Sequence, residues 1–124
     1  HNRTAQWVYG QGTQYNTMTA SFNIRETPRG PGEITIVGVD SEDPPKTPMR
    51  LIVNGAVLYE GPNPLPNDDQ SGRYGAGNWG TYTWRIPPNL LIEGTNTLSI
   101  VNLDPSDQID YPIFVMIDTV TVSW

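Results

Sequence analysis

The chain has 124 residues, no cysteine and a formal net charge of −6. This length suits one domain whose core needs no disulfide bonds, and the lack of cysteine excludes a metal site built on thiolates. Thirteen acidic against seven basic residues disfavour nucleic acid and anionic membrane surfaces as partners, since both attract clustered Lys and Arg.

Period-two alternation of apolar and polar residues recurs along the chain, while no window keeps a helical period. The alternation predicts strands at 18–24, 34–39, 49–53, 56–59, 81–86, 98–103 and 113–124. Asn54-Gly55 predicts a tight hairpin, because a type I′ turn needs positive φ at both central residues. The segment NLLIE before Gly94 is expected to form one short helical turn. The pattern indicates an all-β, antiparallel two-sheet sandwich, with residues 1–124 as a single domain.

The stretch from Gly61 to Gly80 is too long for an ordinary hairpin loop, and loops of this size in compact domains generally have a function. It contains two aromatic residues, Tyr74 and Trp79. Flat aromatic rings stack on the C–H faces of sugars, while sugar hydroxyls need polar partners. The predicted polar partners are Asp68, Asp69, Gln70, Arg73 and Asn78. The loop is therefore predicted to bind carbohydrate.

Two alternatives remain open for the aromatic residues. Trp79 either faces a ligand or folds back to plug one end of the sandwich. Tyr111, with Asp110 beside it, is a further candidate for the same site. Trp7, Tyr9 and Tyr15 lie in another glycine-interrupted stretch, and the sequence does not show at which end of the sandwich they lie.

Three other aromatic residues lie on strand positions whose alternation points inward. These residues are Tyr82, Trp84 and Trp124. They are predicted to belong to the core.

The order of several motifs resembles the galactose-binding-like jelly rolls, a group that includes many carbohydrate-binding modules attached to glycoside hydrolases and polysaccharide lyases. The matching segments are MRLIVNGAVLYEG, WGTYTWRIPPNLLIEGTNTLSIVN and IFVMIDTVTVSW, within residues 18–124. The resemblance implies a jelly-roll fold and a role in glycan binding. The group also includes domains that bind no glycan and brace a neighbouring catalytic domain.

Calcium is the expected cofactor, because this cation takes oxygen ligands from irregular acidic loops. The segment GVDSEDPP offers Asp40, Glu42 and Asp43. Asp118 shares strand parity with apolar residues, where a carboxylate is costly unless it is paired or coordinated. The resemblance also implies a calcium ligand at Asp118. The alternative is a strand bulge that turns Asp118 towards solvent.

Catalysis is not expected. A single histidine, His1, leaves no histidine cluster for zinc and no second candidate for a Ser-His-Asp triad. Paired carboxylates could hydrolyse glycosides, but the acidic residues cluster in polar loops, where burial rarely raises their pKa.

The sequence thus predicts a secreted, monomeric, non-catalytic module that binds plant or microbial polysaccharide. Because the chain starts without Met, we expect a module excised from a larger enzyme, with a covalently linked catalytic domain. The alternative is a structural accessory domain that binds no glycan.

Overall fold

The computed structural model describes residues 6–8, 16–40, 46–66, 79–105 and 115–124. Within them the chain forms eight β-strands. The strands are β1 (Gln6–Val8), β2 (Thr17–Ile24), β3 (Gly32–Asp40), β4 (Pro48–Val53), β5 (Ala56–Pro62), β6 (Gly80–Ile86), β7 (Gly94–Asn102) and β8 (Val115–Ser123). The described residues include no helix that is long and apolar enough to cross a bilayer.

The strands form two four-stranded sheets, with orders β1-β8-β3-β6 and β2-β7-β4-β5. Every pairing between neighbours is antiparallel. Eight antiparallel strands in two packed sheets form a jelly-roll sandwich. The prediction of an all-β antiparallel sandwich is confirmed. The strand missed from the sequence is β1, whose three residues are too few to show alternation.

The core lies between the two sheets and follows the predicted alternation. In β4, Met49, Leu51 and Val53 are buried, while the residues between them are half-buried. Leu98 and Ile100 of β7 face the same layer. β-branched and aliphatic side chains fit this pleated interior surface, so burial of their apolar area stabilises both sheets together.

The Asn54-Gly55 hairpin is confirmed, since φ is 49° at Asn54 and 82° at Gly55. The Asn54 side chain donates to Leu90 O and to Asn96 Oδ1, at 2.8 Å each. It thereby joins this hairpin to the β6–β7 connection. That connection is a turn and not the expected helical turn, because Asn89 adopts a φ of 70°, which ends any helical path.

Three aromatic residues were predicted to belong to the core, and this prediction is wrong for Tyr82 and Trp124. Trp84 is buried, but Tyr82 is 44% exposed and Trp124 is 56% exposed. Tyr82 lies opposite the buried Ile36 and faces the same side of the sheet. However, β6 is an edge strand, so less of the facing sheet covers it. Alternation shows which way a side chain points, but not whether anything covers it.

Strand β8 contains a bulge. Its register with β3 pairs Gly38 with Ile117 and Val37 with Thr119, which leaves Asp118 unmatched. An extra residue of this kind reverses the inward and outward positions on either side of it. Asp118 is half-buried, and its Oδ2 accepts a hydrogen bond from Thr119 Oγ1 at 3.1 Å. The alternation therefore changes phase at Asp118. The bulge of the alternative is present, but it does not turn Asp118 to solvent, because the Oδ1 atom is buried.

Candidate functional site at the loop end

Four connections open at one end of the sandwich. Strands β1, β3, β5 and β7 end there, and β2, β4, β6 and β8 begin there, as the pairing registers show. We call this the loop end and define it by Asp40, Thr47, Pro66, Gly80 and Asn102. The arrangement follows from the jelly-roll order, which places alternate connections at opposite ends.

Most of the predicted site residues belong to these connections and lie outside the described residues. They are Asp68, Asp69, Gln70, Arg73, Tyr74, Asn78, Asp110, Tyr111, Glu42 and Asp43. The flanking strands show that the segments containing them all leave and rejoin the sandwich at the loop end. The β1–β2 connection, with Tyr9 and Tyr15, opens at the same end. These two tyrosines themselves lie outside the described residues.

Hydrogen bonds between backbones tie the bases of neighbouring connections together. Asp40 N donates to Pro66 O at 2.8 Å, and Asn63 N donates to Thr47 O at 3.1 Å. Leu103 N donates to Pro48 O at 2.9 Å. These bonds join the β3–β4 connection to both the β5–β6 and the β7–β8 connections. Fixed bases reduce the freedom that the loops would lose on binding a ligand.

Two buried asparagines strengthen this arrangement. Asn63 Nδ2 donates to Thr47 O at 2.7 Å, and its Oδ1 accepts from Leu65 N at 3.1 Å. Asn102 Nδ2 donates to Val8 O at 3.0 Å, and its Oδ1 accepts from Asp104 N at 2.9 Å. A side-chain amide can both donate and accept, so it can bond backbone N–H and C=O groups that have no partner in the sheet at strand ends. The sequence alone singles out neither residue, because Asn63 lies between two prolines as in an ordinary turn and Asn102 lies within a predicted strand.

Asp40 is the predicted metal ligand that the structure describes most fully. Its carboxylate is completely buried, and Oδ2 accepts from Thr47 N at 3.4 Å. Among the described residues, Oδ1 has no hydrogen-bond partner. Burial raises the pKa of Asp40 above its usual value, against the opposing effects of Thr47, Asn63 and Lys46. Lys46 Nζ lies 3.9 Å from Oδ2, too far for a hydrogen bond, and donates to Leu65 O.

Trp79 is half-buried and stands at the base of the β5–β6 connection. Next to it, Gly80 packs directly on Pro66, because a Cβ at position 80 would lie 2.4 Å from Pro66 Cδ. The two ends of this connection therefore meet in a contact that only glycine allows. Half-burial is compatible with both alternatives for Trp79, a ligand platform and a plug.

The surroundings of Asp40 show whether its carboxylate is suited to binding calcium. A buried carboxylate with an oxygen that lacks a donor is suited to a cation, while Lys46 already supplies one positive charge nearby. Among the described residues, no group of three or more acidic or histidine side chains could hold a metal. Asp40 is therefore one fitting ligand, and any complete set must draw on residues beyond those described.

Three aromatic rings, those of Tyr59, Tyr82 and Trp84, form a cluster where β5 and β6 are the edge strands of their sheets. The sequence did not predict this cluster. The Tyr82 and Trp84 ring centroids are 4.7 Å apart, and those of Tyr59 and Trp84 are 5.7 Å apart. Tyr59 is half-buried, and its hydroxyl donates to Pro62 O. These tilted contacts stabilise the edge of the sandwich. Only the sheet order, which a single sequence does not give, brings Tyr59 to Trp84.

Comparison with known proteins identifies a shared fold. No protein-family model matches the sequence, and neither does any curated protein. The sugar-binding C-terminal domain of EclA matches with a TM-score of 0.59 at 8% identity, over 99% of this chain and 79% of that one. Dimeric latent PorU from Porphyromonas gingivalis matches with a TM-score of 0.56 at 20% identity, over 93% of this chain but only 10% of that one. The chain therefore has a β-sandwich fold that also occurs in a sugar-binding protein.

Proposed function

We propose that this protein is a non-catalytic carbohydrate-binding module, which directs an attached polysaccharide-degrading enzyme to its glycan. The binding site lies at the loop end. Trp79 and Tyr74 provide stacking surfaces there, and the polar residues between them, with Asp110 and Tyr111, bind hydroxyl groups. The module acts outside the cell as a monomer, and no bond is made or broken in it.

The convergence of four connections on one end is the observation that carries this proposal. It allows side chains from distant parts of the sequence to contribute to one site on a rigid scaffold. The hydrogen-bonded bases fix where three of these connections leave and rejoin the strands. The similarity to the sugar-binding domain of EclA supports the same function, since the two chains share their fold over nearly the whole length of this one.

Calcium forms part of the proposal. The buried carboxylate of Asp40 supports it, because a cation would neutralise a charge that the described residues balance only through Lys46 at 3.9 Å. Glu42 and Asp43 would complete the ligand set from the same connection. Asp118, in the bulge of β8, remains a separate predicted ligand.

Affinity electrophoresis of residues 1–124 against a panel of soluble polysaccharides tests the function, with calcium and again with EDTA. For a shallow sugar site we expect a Kd on the order of 10 μM to 1 mM. Trp79→Ala should weaken binding by roughly 5- to 30-fold, the equivalent of about 1–2 kcal/mol from one stacked ring. Thermal unfolding of the same variant should change little.

The controls separate the alternatives. Val57→Ala removes a side chain that is 56% exposed on β5 and should leave mobility in the gel unchanged. A large loss of thermal stability in Trp79→Ala would show that the ring is a plug. Free migration of the unmodified protein on every glycan would refute the proposed function and favour a structural accessory domain. Retardation lost with EDTA would support functional calcium, and retardation unaffected by EDTA would refute it.

A further inference from the structure

The opposite end of the sandwich also presents an aromatic ring to solvent. We call it the turn end, and it contains the β2–β3, β4–β5 and β6–β7 connections together with Trp124. Trp124 follows the last residue of β8 and is 56% exposed. A fully formed core does not account for so large an exposed apolar side chain.

Trp124 lies beside a seam between the two sheets. Strand β1 pairs with β8 only at residues 115–117. Among the described strands, none pairs with the far side of β8 beyond residue 117. An apolar groove of about 240 Å³ therefore runs along this seam, lined by Phe22, Leu98, Val120, Val122 and Trp124.

Polar grooves adjoin the same ring. One, of about 310 Å³, is lined by Asn23, Arg25, Glu26 and Trp124. Another, also about 310 Å³, extends along Thr27 and Arg29. Each volume reaches the lower end of the range for small-ligand clefts. The ring thus has an apolar surface on one side and hydrogen-bonding side chains on the other.

The chemistry of these side chains fits a neutral sugar. Arg25 offers donors, Glu26 offers acceptors and Asn23 offers both, which matches hydroxyl groups that donate and accept at once. Two arginines, Arg25 and Arg29, are balanced at this end by Glu26 and Glu93. In a chain with a net charge of −6 this local balance is a distinct feature, and it favours an uncharged ligand over an acidic one.

We propose that Trp124, Asn23, Arg25 and Glu26 form a second sugar-binding site, which takes one neutral pyranose unit of a glycan. The ligand class of this site rests on the proposed function, while its location does not depend on the loop end. Strands of 7–9 residues separate the two ends, a distance of about 25–30 Å. The two sites therefore engage different chains or distant parts of one chain, and the module bridges polysaccharides.

Calorimetric titration tests the second site. The titrant is an oligosaccharide of a neutral glycan that retards the unmodified protein in affinity electrophoresis. We expect two sites per chain, and one site in Trp124→Ala. Arg25→Ala should weaken binding at the turn-end site several-fold while leaving the Trp124 ring in place. This variant still tests the site if Trp124→Ala fails to fold. Ile92→Ala, which removes a 49% exposed side chain at the same end, is the control and should titrate as two sites.

The outcomes distinguish the two proposals. No binding to any glycan by the unmodified protein would overturn both. Binding that is abolished by Trp79→Ala and unchanged in Trp124→Ala and Arg25→Ala would overturn the second site alone. Binding that Trp124→Ala abolishes and Trp79→Ala leaves intact would overturn the loop-end site and support this one. Binding of polygalacturonate but of no neutral glycan, dependent on Arg25, would overturn the assigned ligand class.

Discussion

The buried carboxylate of Asp40 lies at a position where a charge is costly. Burial raises its pKa above the usual 3.8, so the folded chain holds this proton more tightly than the unfolded chain does. The group therefore contributes most to stability when it is protonated, below about pH 3.8. That contribution is lost as the pH rises through the folded-state pKa. Above that pKa the ionised carboxylate opposes folding unless a cation balances its charge.

Asp40→Asn should therefore raise the free energy of unfolding at pH 7 in EDTA, by about 1–3 kcal/mol, because it removes a buried carboxylate whose charge Lys46 balances only from 3.9 Å. The gain should shrink as the pH is lowered towards 4. Urea unfolding between pH 4 and pH 8 measures both effects. Glu60→Gln removes one partner of the surface pair with Arg50 and should change stability by less than about 1 kcal/mol.

A variant at Asp40 that is less stable than the unmodified protein at pH 7 in EDTA would contradict this account. It would show that the Lys46 ammonium, 3.9 Å away, outweighs the cost of burying the carboxylate. With calcium present, the proposed ligand role predicts the reverse order of stability, since the variant loses the bound ion.

At the scale of the elements, the β6–β7 connection depends on one buried side chain. Asn96 is fully buried, accepts from Ile92 N at 2.9 Å, and donates to Ile92 O at 2.8 Å and Gly94 O at 3.1 Å. Asn96→Ala leaves these partly buried backbone groups without their side-chain partner. We expect a loss of about 2–4 kcal/mol in thermal or urea unfolding.

The neighbouring exposed residue of β7 provides the control for this prediction. Thr95→Ala should cost less than about 1 kcal/mol, because its side chain faces solvent. Equal effects from the two variants would show that the Asn96 network does not hold the turn.

The glycine at the start of β6 gives a second prediction at this scale. Gly80→Ala places a Cβ against the rigid ring of Pro66, so the two ends of the β5–β6 connection must move apart. We expect a loss of about 1–3 kcal/mol, together with weaker retardation on glycan. Gly30→Ala meets no atom within 4 Å and should be neutral in both measurements. Unchanged behaviour of Gly80→Ala would show that this contact is not needed.

At the scale of the whole molecule, the strands were predictable because alternation is a local property. Leu51 and Ile100 show their inward orientation within their own segments. The pairing of strands is not local: β1 and β8 are neighbours although Val8 and Val115 lie at opposite ends of the sequence. The bulge at Asp118 was only one of two alternatives from the sequence, since its cause is the fit of β8 to β3 and not the sequence of β8 alone.

The candidate site was predictable only in part. The sequence placed aromatic and polar residues in connections, and the sheet order then showed that those connections open at one end. The exposure of Trp124 could not be foreseen, because alternation gives the direction of a side chain and not what covers it.

The position of β8 has a consequence for how the protein is made. This strand, the last of the eight in chain order, lies between β1 and β3. During synthesis, β3 therefore keeps one edge unpaired until residues 115–123 have left the ribosome. Unpaired edges attract other strands and promote aggregation, and contacts between distant segments form slowly. The sheet that contains β3 is therefore complete only when β8 inserts between β1 and β3.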